Sequence, residues 1–557
     1  MMQAVVQIFV TFGLVVGITG QNTKVITTPS GQLRGLVTLA NNSIVYQFRN
    51  IPYAKPPIGE LRFAKPVEYG SWPGIRDATA FGPACTQSVN GVTYQNVSED
   101  CLTLNVYVPK NMLGNRTVMV WIHGGGYIKG EAAIFDGSYL ALRGGLVVVT
   151  INYRLGVFGF LSTNDTVIPG NNGLWDQQLA LKWLKTNIKA FGGNSESVTI
   201  FGESAGGFSV GLQSIIPQNK GLFHRAIAQS GAAPSFLTIV HQPLLFTVSF
   251  GERVGCHFIT SNSPMFLKCL KSKTAKELLN AQINASAPVS LTPFSFGPVI
   301  SPVVDKEFLP DVPSALMKNK SSESYQFFRT LDFMAGNVNR EGSIFINKYL
   351  YNFSQIFHFV PEKGVPNAVV CNVLAPGAVS AFSKSIVKNK TIEKEICDEY
   401  KDDDPELEGN KMGDLFGDAF FVVPSVVALD VHSDGNNMTN TFQYIFNRRN
   451  PAMRGNGPYP HWFTGAPHAS DNVFLFGIQQ LAQRIHVSDA DLNLSAHMQQ
   501  YWANFAKTGK PFADGSANWP YYDRTSRSYL NLDDVISAKE HIFLDRVTFW
   551  TEKVPIF

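Results

Sequence analysis

Charge is the scarcest property of this sequence. Of 557 residues only 16% are Asp, Glu, Lys or Arg, and 46 basic residues nearly balance 43 acidic ones for a net charge of +3. That share lies below the ~25% usual in soluble domains. No block of like charge occurs, so the electrostatic footprint of a nucleic-acid-binding protein or of a charged interaction tail is missing. Cysteine is scarce too, with six in all. None sits in a Cys-x-x-Cys pair or a Cys/His cluster of the kind zinc needs, and neither a metal nor an organic cofactor is expected. No internal repeat, low-complexity tract or clear linker breaks the chain. Long apolar runs are missing apart from Ala4 to Ile18, broken only by Gln7 and Thr11. That run is shorter than the ~20 residues a spanning helix requires. Thr19-Gly20-Gln21-Asn22 follows it, so residues 1–20 read as a secretory signal cleaved near Gly20, although no Lys or Arg precedes the run. Lys553 to Phe557 carries no ER-retention signal and no apolar anchor tail. The expectation is a secreted, extracellular protein without a stable membrane anchor.

What is present agrees with export. The cysteines pair by proximity as Cys85 with Cys101, Cys256 with Cys269 and Cys371 with Cys397, although other connectivities stay open on sequence alone. Asn-x-Ser/Thr acceptors stand at Asn41, Asn96, Asn115, Asn164, Asn284, Asn319, Asn352, Asn389, Asn437 and Asn493. Each predicts a surface position in a glycosylating, oxidising compartment.

With 45% hydrophobic residues the chain can bury a large core. Lys24 to Phe48 alternates short β-rich runs with turns and predicts an antiparallel start to a sheet. Ser98 to Pro109 reads as a strand. Val118 to Ile122 and Leu146 to Ile151 are apolar without alternation, as strands buried on both faces of a parallel sheet are. Asp176 to Ala190 places Leu179, Trp183, Leu184 and Ile188 at helical spacing. Ser197 to Phe201 and Arg225 to Ser230 read as further strands, and Tyr325 to Ala335 as a strand-like run. Residues 344–429 read as mostly helix and loop. Thr441 to Phe446 is another strand, and Tyr529 to Ile542 with the tail reads as strand and closing helix. Strand alternating with helix predicts an α/β fold with a large, mostly parallel central sheet flanked by helices. Residues 21–557 then form a single domain.

The chemistry centres on Phe201-Gly202-Glu203-Ser204-Ala205-Gly206-Gly207. A strand, a glycine-bracketed serine and a following helix are what a nucleophile elbow needs, because the turn leaves no room for bulk beside the serine. Gly-x-Ser-x-Gly alone occurs by chance, so partners are required. A serine hydroxyl needs a base within hydrogen-bond reach and an acid to orient that base. His461 and His468 are candidates, and His468 follows Gly465-Ala466-Pro467, a loop suited to presenting a side chain. With the chain order Ser, acid, His, the acid lies between Ser204 and His468, and Glu341 competes there with several other carboxylates. His123-Gly124-Gly125-Gly126 directly after a strand suits an oxyanion hole, whose backbone N–H groups must approach a developing negative charge closely.

These segments together resemble the type-B carboxylesterases of the cholinesterase-like α/β-hydrolase family, from about Val25 to the C-terminus. Ser98-Glu99-Asp100-Cys101-Leu102, Trp121 to Tyr127, Asn152-Tyr153-Arg154-Leu155-Gly156, and Ala190-Phe191-Gly192-Gly193-Asn194 leading to the Ser204 motif carry the likeness. The resemblance implies Glu341 as the acid and His468 rather than His461 as the base. It implies Gly125, Gly126 and Ala205 as oxyanion donors. It implies structural ion pairs between Arg49 and Glu99 and between Arg154 and Asp176. It makes Glu203 a neighbour that tunes electrostatics rather than the triad acid. Within the family the likeness is to the bile-salt-activated carboxyl ester lipase branch, on Leu161 to Gln177 and Asn219 to Gly231. Cys85 to Cys101 encloses no tryptophan, where the cholinesterases carry one for choline, which argues against a choline ester. Glu341 departs from that lipase branch, which tends to use Asp, and Cys371 with Cys397 has no counterpart in it. The expected partner is a small-molecule or lipid ester. The competing expectation is a catalytically silent adhesion or binding protein on the same scaffold, as in the neuroligins, or a storage or carrier protein with a vestigial site.

Overall fold

A computed structural model describes residues 21–89, 96–110, 114–285, 300–382, 390–449, 459–482, 487–512 and 518–554. The expected signal at 1–20 and Asn389 lie outside these. An eleven-stranded sheet runs through the molecule. Its strands are β1 (Leu36–Ala40), β2 (Ser43–Pro52), β3 (Thr103–Pro109), β4 (Arg116–Ile122), β5 (Val147–Ile151), β6 (Gly193–Glu203), β7 (Arg225–Gln229), β8 (Asp332–Val338), β9 (Thr441–Phe446), β10 (Tyr529–Leu532) and β11 (Ser537–Lys539). Their order across the sheet is β11-β10-β9-β8-β7-β6-β4-β5-β3-β2-β1. The block from β5 to β10 is parallel, and both margins are antiparallel. The sheet is therefore mixed: the margins are joined by short turns, whereas the centre needs crossovers.

β5 and β9 are buried along their whole length and β4 from Val118 to Ile122, as their unbroken apolar runs require. Trp121 on β4 packs against Phe201, Phe135 and Phe476 with ring centroids 4.8–4.9 Å apart, contacts worth about 0.5–1.5 kcal/mol each beyond burial. Helices cover both faces, among them α1 (Asn172–Asn187), α2 (Ala205–Ser214), α3 (Ser343–Phe357), α4 (Lys390–Tyr400), α5 (Pro405–Gly417), α6 (Asp489–Thr508) and the short α7 (Leu544–Thr548). Among the described residues one helical run, Pro405–Ser433, is long and apolar enough to cross a membrane, but 89% of its apolar window is buried inside the protein. It is a core helix.

Four readings change. The Lys24 to Phe48 stretch is split: Ile26–Thr28 and Gly31–Arg34 form a small separate sheet with Ile75–Asp77, and only β1 and β2 join the main one. The Ser98 to Pro109 run begins its main-sheet strand at Thr103, while Val97–Ser98 pairs with Ala84–Cys85. Of the Tyr325 to Ala335 run, Asp332–Ala335 is strand in β8, but Tyr325–Phe328 belongs to the helix Glu323–Phe328, because the Ser322 hydroxyl caps it by accepting from Tyr325 N and its aromatic residues are buried. Arg49 does not pair with Glu99. A register shift between Phe48 and Ile51, with Asn50 at φ 55°, turns Arg49 onto the Phe81 ring at 4.1 Å and onto the Gln47 amide oxygen at 2.9 Å. Glu99 is held instead by Arg62, at 2.6 Å on both oxygens. Arg154 and Asp176 do pair, through two 2.8 Å contacts with both side chains buried.

The three disulfides connect Cys85–Cys101, Cys256–Cys269 and Cys371–Cys397. Asn41, Asn96, Asn115, Asn164, Asn284, Asn319, Asn352, Asn437 and Asn493 are all exposed.

Candidate active site

Strand β6 ends at Glu203 and α2 begins at Ala205, so Ser204 alone makes the turn. Its backbone stands at φ 57°, ψ −123°, a conformation an L-residue adopts only under strain. The turn survives because its neighbours lack side chains. A Cβ on Gly206 would lie 2.0 Å from the Ile122 carbonyl oxygen at the end of β4. Ser204 is partly exposed, and among the described residues its hydroxyl has no hydrogen-bond partner.

The loop after β4 folds over this turn. Gly124 sits where a Cβ would touch Ser204 Cβ at 3.0 Å and the Glu203 carbonyl oxygen at 2.6 Å. Gly125 adopts φ 108°, and a Cβ there would lie 2.1 Å from the Lys129 carbonyl oxygen. Among the described residues the N–H groups of Gly125, Gly126 and Ala205 meet no acceptor. His123 anchors the loop from below, stacked on Tyr153 at 4.5 Å, whose hydroxyl donates to the His123 carbonyl at 2.8 Å. Burial lowers its pKa to about 4, so the ring stays neutral.

Glu341 lies three residues beyond β8 and is 2% exposed. One of its oxygens accepts from Val338 N and Asn337 Nδ2, both at 3.0 Å. The other is 2.6 Å from His468 Nδ1. The loops carrying the two residues are bonded to each other: Arg340 N donates to the Ala466 carbonyl at 3.1 Å, and Ser343 Oγ accepts from His468 N at 2.8 Å. The Phe421 ring covers the imidazole at 4.9 Å. His461 stands apart, exposed between Glu362 and Glu406.

The far side of the imidazole makes no hydrogen bond to the serine. His468 Nε2 lies 3.1 Å from Glu203 Oε1. Glu203 is 4% exposed. Burial pushes its carboxyl up to about 8, although His468 opposes the shift. Burial by itself would lower the His468 pKa, but Glu203, Glu341 and Asp471 outweigh it and hold the ring up at about 9. Asp471, fully buried, accepts from Gln229 Nε2 and from the Tyr444 hydroxyl at 3.0 Å each. Burial lifts its carboxyl to about 6. Sequence reasoning assigns Asp471 and Phe421 no role. A carboxylate three residues past the histidine is a signal for the first; nothing in the sequence marks the second, which arrives from a distant segment.

The structure thus sets Glu341 against His468, His468 against Glu203, and the glycine loop after β4 against the Ser204 turn. A parallel-centred sheet whose strand ends carry a strained serine, a carboxylate-bound histidine and a glycine loop of unpaired N–H groups defines the α/β-hydrolase class. Within that class, the model of the carboxylesterase family matches residues 22–550, and the chain belongs to this family. It is 34% identical to mouse cholinesterase and 34% identical to bovine bile salt-activated lipase, each over 91% of this chain and 83% of the relative. It is 32% identical to mouse neuroligin-2 over 98% of this chain and 69% of the relative. The identities to esterase and lipase are equal, so likeness fixes the family rather than a branch of it.

Proposed function

We propose that the protein is a secreted serine hydrolase that cleaves carboxylic esters through an acyl-enzyme. The observation that carries this reading is the position of His468. Glu341 holds its Nδ1, and its Nε2 faces the Glu203-Ser204 turn beneath a loop of free N–H donors. In the reaction Nε2 must turn from Glu203, 3.1 Å away, to the Ser204 hydroxyl. Ser204 then attacks the ester carbonyl while His468 takes its proton and passes it to the leaving alcohol. Glu341 orients the ring and stabilises the imidazolium. Gly125, Gly126 and Ala205 donate to the oxyanion. Water, deprotonated by His468, releases the acid and restores the serine. The substrate is a small-molecule or lipid ester, and the absence of a tryptophan between Cys85 and Cys101 argues against choline esters.

The test is hydrolysis of a p-nitrophenyl ester by Ser204→Ala, expected to fall to background. A variant that keeps most of the activity overturns the mechanism. A second reading, a silent adhesion protein, has its support in the likeness to neuroligin-2 and in the missing Ser204–His468 hydrogen bond. Covalent labelling of the pure protein by a fluorophosphonate probe separates the two, because only an activated serine reacts.

A further inference from the structure

The candidate acid and base lie next to a second construction, built around two arginines and two aspartates. Arg340, the residue before Glu341, reaches across to the histidine loop, where its Nε donates to the Thr464 carbonyl at 3.0 Å. Its other arm grips Asp414 Oδ1 on α5. The second oxygen of Asp414 is held by Arg546 NH1 of α7 at 2.7 Å. Arg546 also lies 3.3 Å from Asp418 through Nε, and its guanidinium stacks on Phe543 at 4.1 Å. Asp418 accepts at 2.7 Å from the Tyr400 hydroxyl at the end of α4, which itself accepts from Trp550 Nε1 at 2.7 Å. Two arginines and two aspartates therefore bind five separate pieces of chain: the Glu341 turn, the histidine loop, α5, the end of α4, and α7.

This construction meets the site twice. Asp418 opens the segment Asp418–Val422, whose Phe421 covers His468. Helix α5 ends against the acid, since a Cβ on Gly417 would lie 3.3 Å from Glu341 Cβ. Backbone contact is as close at Gly342, where a Cβ would fall 1.8 Å from the Gly413 carbonyl oxygen. A shift of α5 cannot be absorbed there and passes to Glu341. Side chains held in networks of this kind respond as a unit.

We infer that Arg340 and Asp414 are positioning residues for the Glu341–His468 pair, and that the C-terminal helix, through Arg546, is the clasp that keeps them in place. The functional half of this statement rests on the hydrolase reading above. Neither residue touches substrate. Arg340 fixes the two loops to each other, and Asp414 fixes Arg340 to α5. Arg546 keeps Asp414 and Asp418 from repelling one another.

The test compares wild type with Asp414→Asn, Arg340→Gln and Arg546→Met. Lys185→Met, which breaks the exposed Lys185–Glu196 pair, serves as a control. Arg340→Lys keeps the charge without the two-armed contact and stands in for Arg340→Gln should that variant fail to fold. Three quantities are read: kcat and KM on a p-nitrophenyl ester, the rate of fluorophosphonate labelling, and the far-downfield proton resonance of His468 Nδ1–H, assigned by its loss in Glu341→Gln. The expected result is a kcat reduced about tenfold to a hundredfold with KM little changed, as misplacement of a catalytic group produces. Labelling slows in parallel, the downfield resonance moves or broadens, and Lys185→Met behaves as wild type. Folded Asp414→Asn and Arg340→Lys proteins with unchanged kcat and an unmoved resonance overturn the inference. A wild type that neither hydrolyses nor labels overturns the hydrolase reading instead. The resonance in Asp414→Asn still decides whether the clasp holds the pair.

Discussion

In the proposed hydrolase three carboxylates set the working range of the site, and Glu203 is the one that faces His468 Nε2, at 3.1 Å. To take a proton from Ser204 the imidazole must be neutral, and surrounding carboxylates hold its pKa at about 9. Activity should therefore rise with pH as His468 loses its proton, with a midpoint above the usual ~6.5 for histidine. Glu203→Gln removes the charge 3.1 Å from Nε2. The protonated form is then less favoured, the pKa falls, and the midpoint of kcat/KM against pH should move down by about one unit or more. A midpoint that stays in place, or rises, would show that the carboxylate does not face the ring. At this scale the sequence is generous where chemistry constrains residue type. Ser204, His468 and the glycine loop are legible because an elbow and an oxyanion hole admit few alternatives. Glu341 needed a family likeness to stand out from other carboxylates. The Glu203 contact was not legible, since it depends on how far the turn after β6 tilts toward a loop contributed much later in the chain.

Among the elements, the central strands were the easiest to read and the ion pairs the hardest. Unbroken apolar runs such as Val118 to Ile122 have one stable placement, buried on both faces. Arginine pairing depends on local geometry instead: the bulge at Asn50 diverts Arg49, and Glu99 goes to Arg62. The first residues of the Tyr325 to Ala335 run depart from strand because Tyr and Phe content favours strand only on average, while the Ser322 cap decides for helix at Glu323–Phe328. Helix α1 shows what such pairs contribute when buried. Its Asp176 accepts from Arg154 N, Nε and NH2 with no exposure of its own. Asp176→Ala strands a buried guanidinium and should destabilise the fold by about 3–5 kcal/mol. Urea denaturation measures this directly, and a loss below ~1 kcal/mol would mean that solvent reaches the pair.

On the scale of the whole molecule, exposed glycan acceptors and paired cysteines point the same way. Three disulfides bind three separate regions, and every described Asn-x-Ser/Thr asparagine is on the surface. Such bonds persist in oxidising compartments. Expression of the full chain in a secreting eukaryotic host should deliver the protein to the medium, and enzymatic removal of N-glycans should lower its mass. Retention inside the cell with no mass change would defeat the export reading. The sheet order has one more consequence. Ser204 follows β6, Glu341 follows β8 and His468 follows β9, and β8 sits between β7 and β9 in the finished sheet. A nascent chain leaving the ribosome thus displays its nucleophile long before its base exists. Under the proposed mechanism ester cleavage begins only when the late strands have docked, so the first turnover would report completed folding, and a truncated product would be harmless to the esters around it.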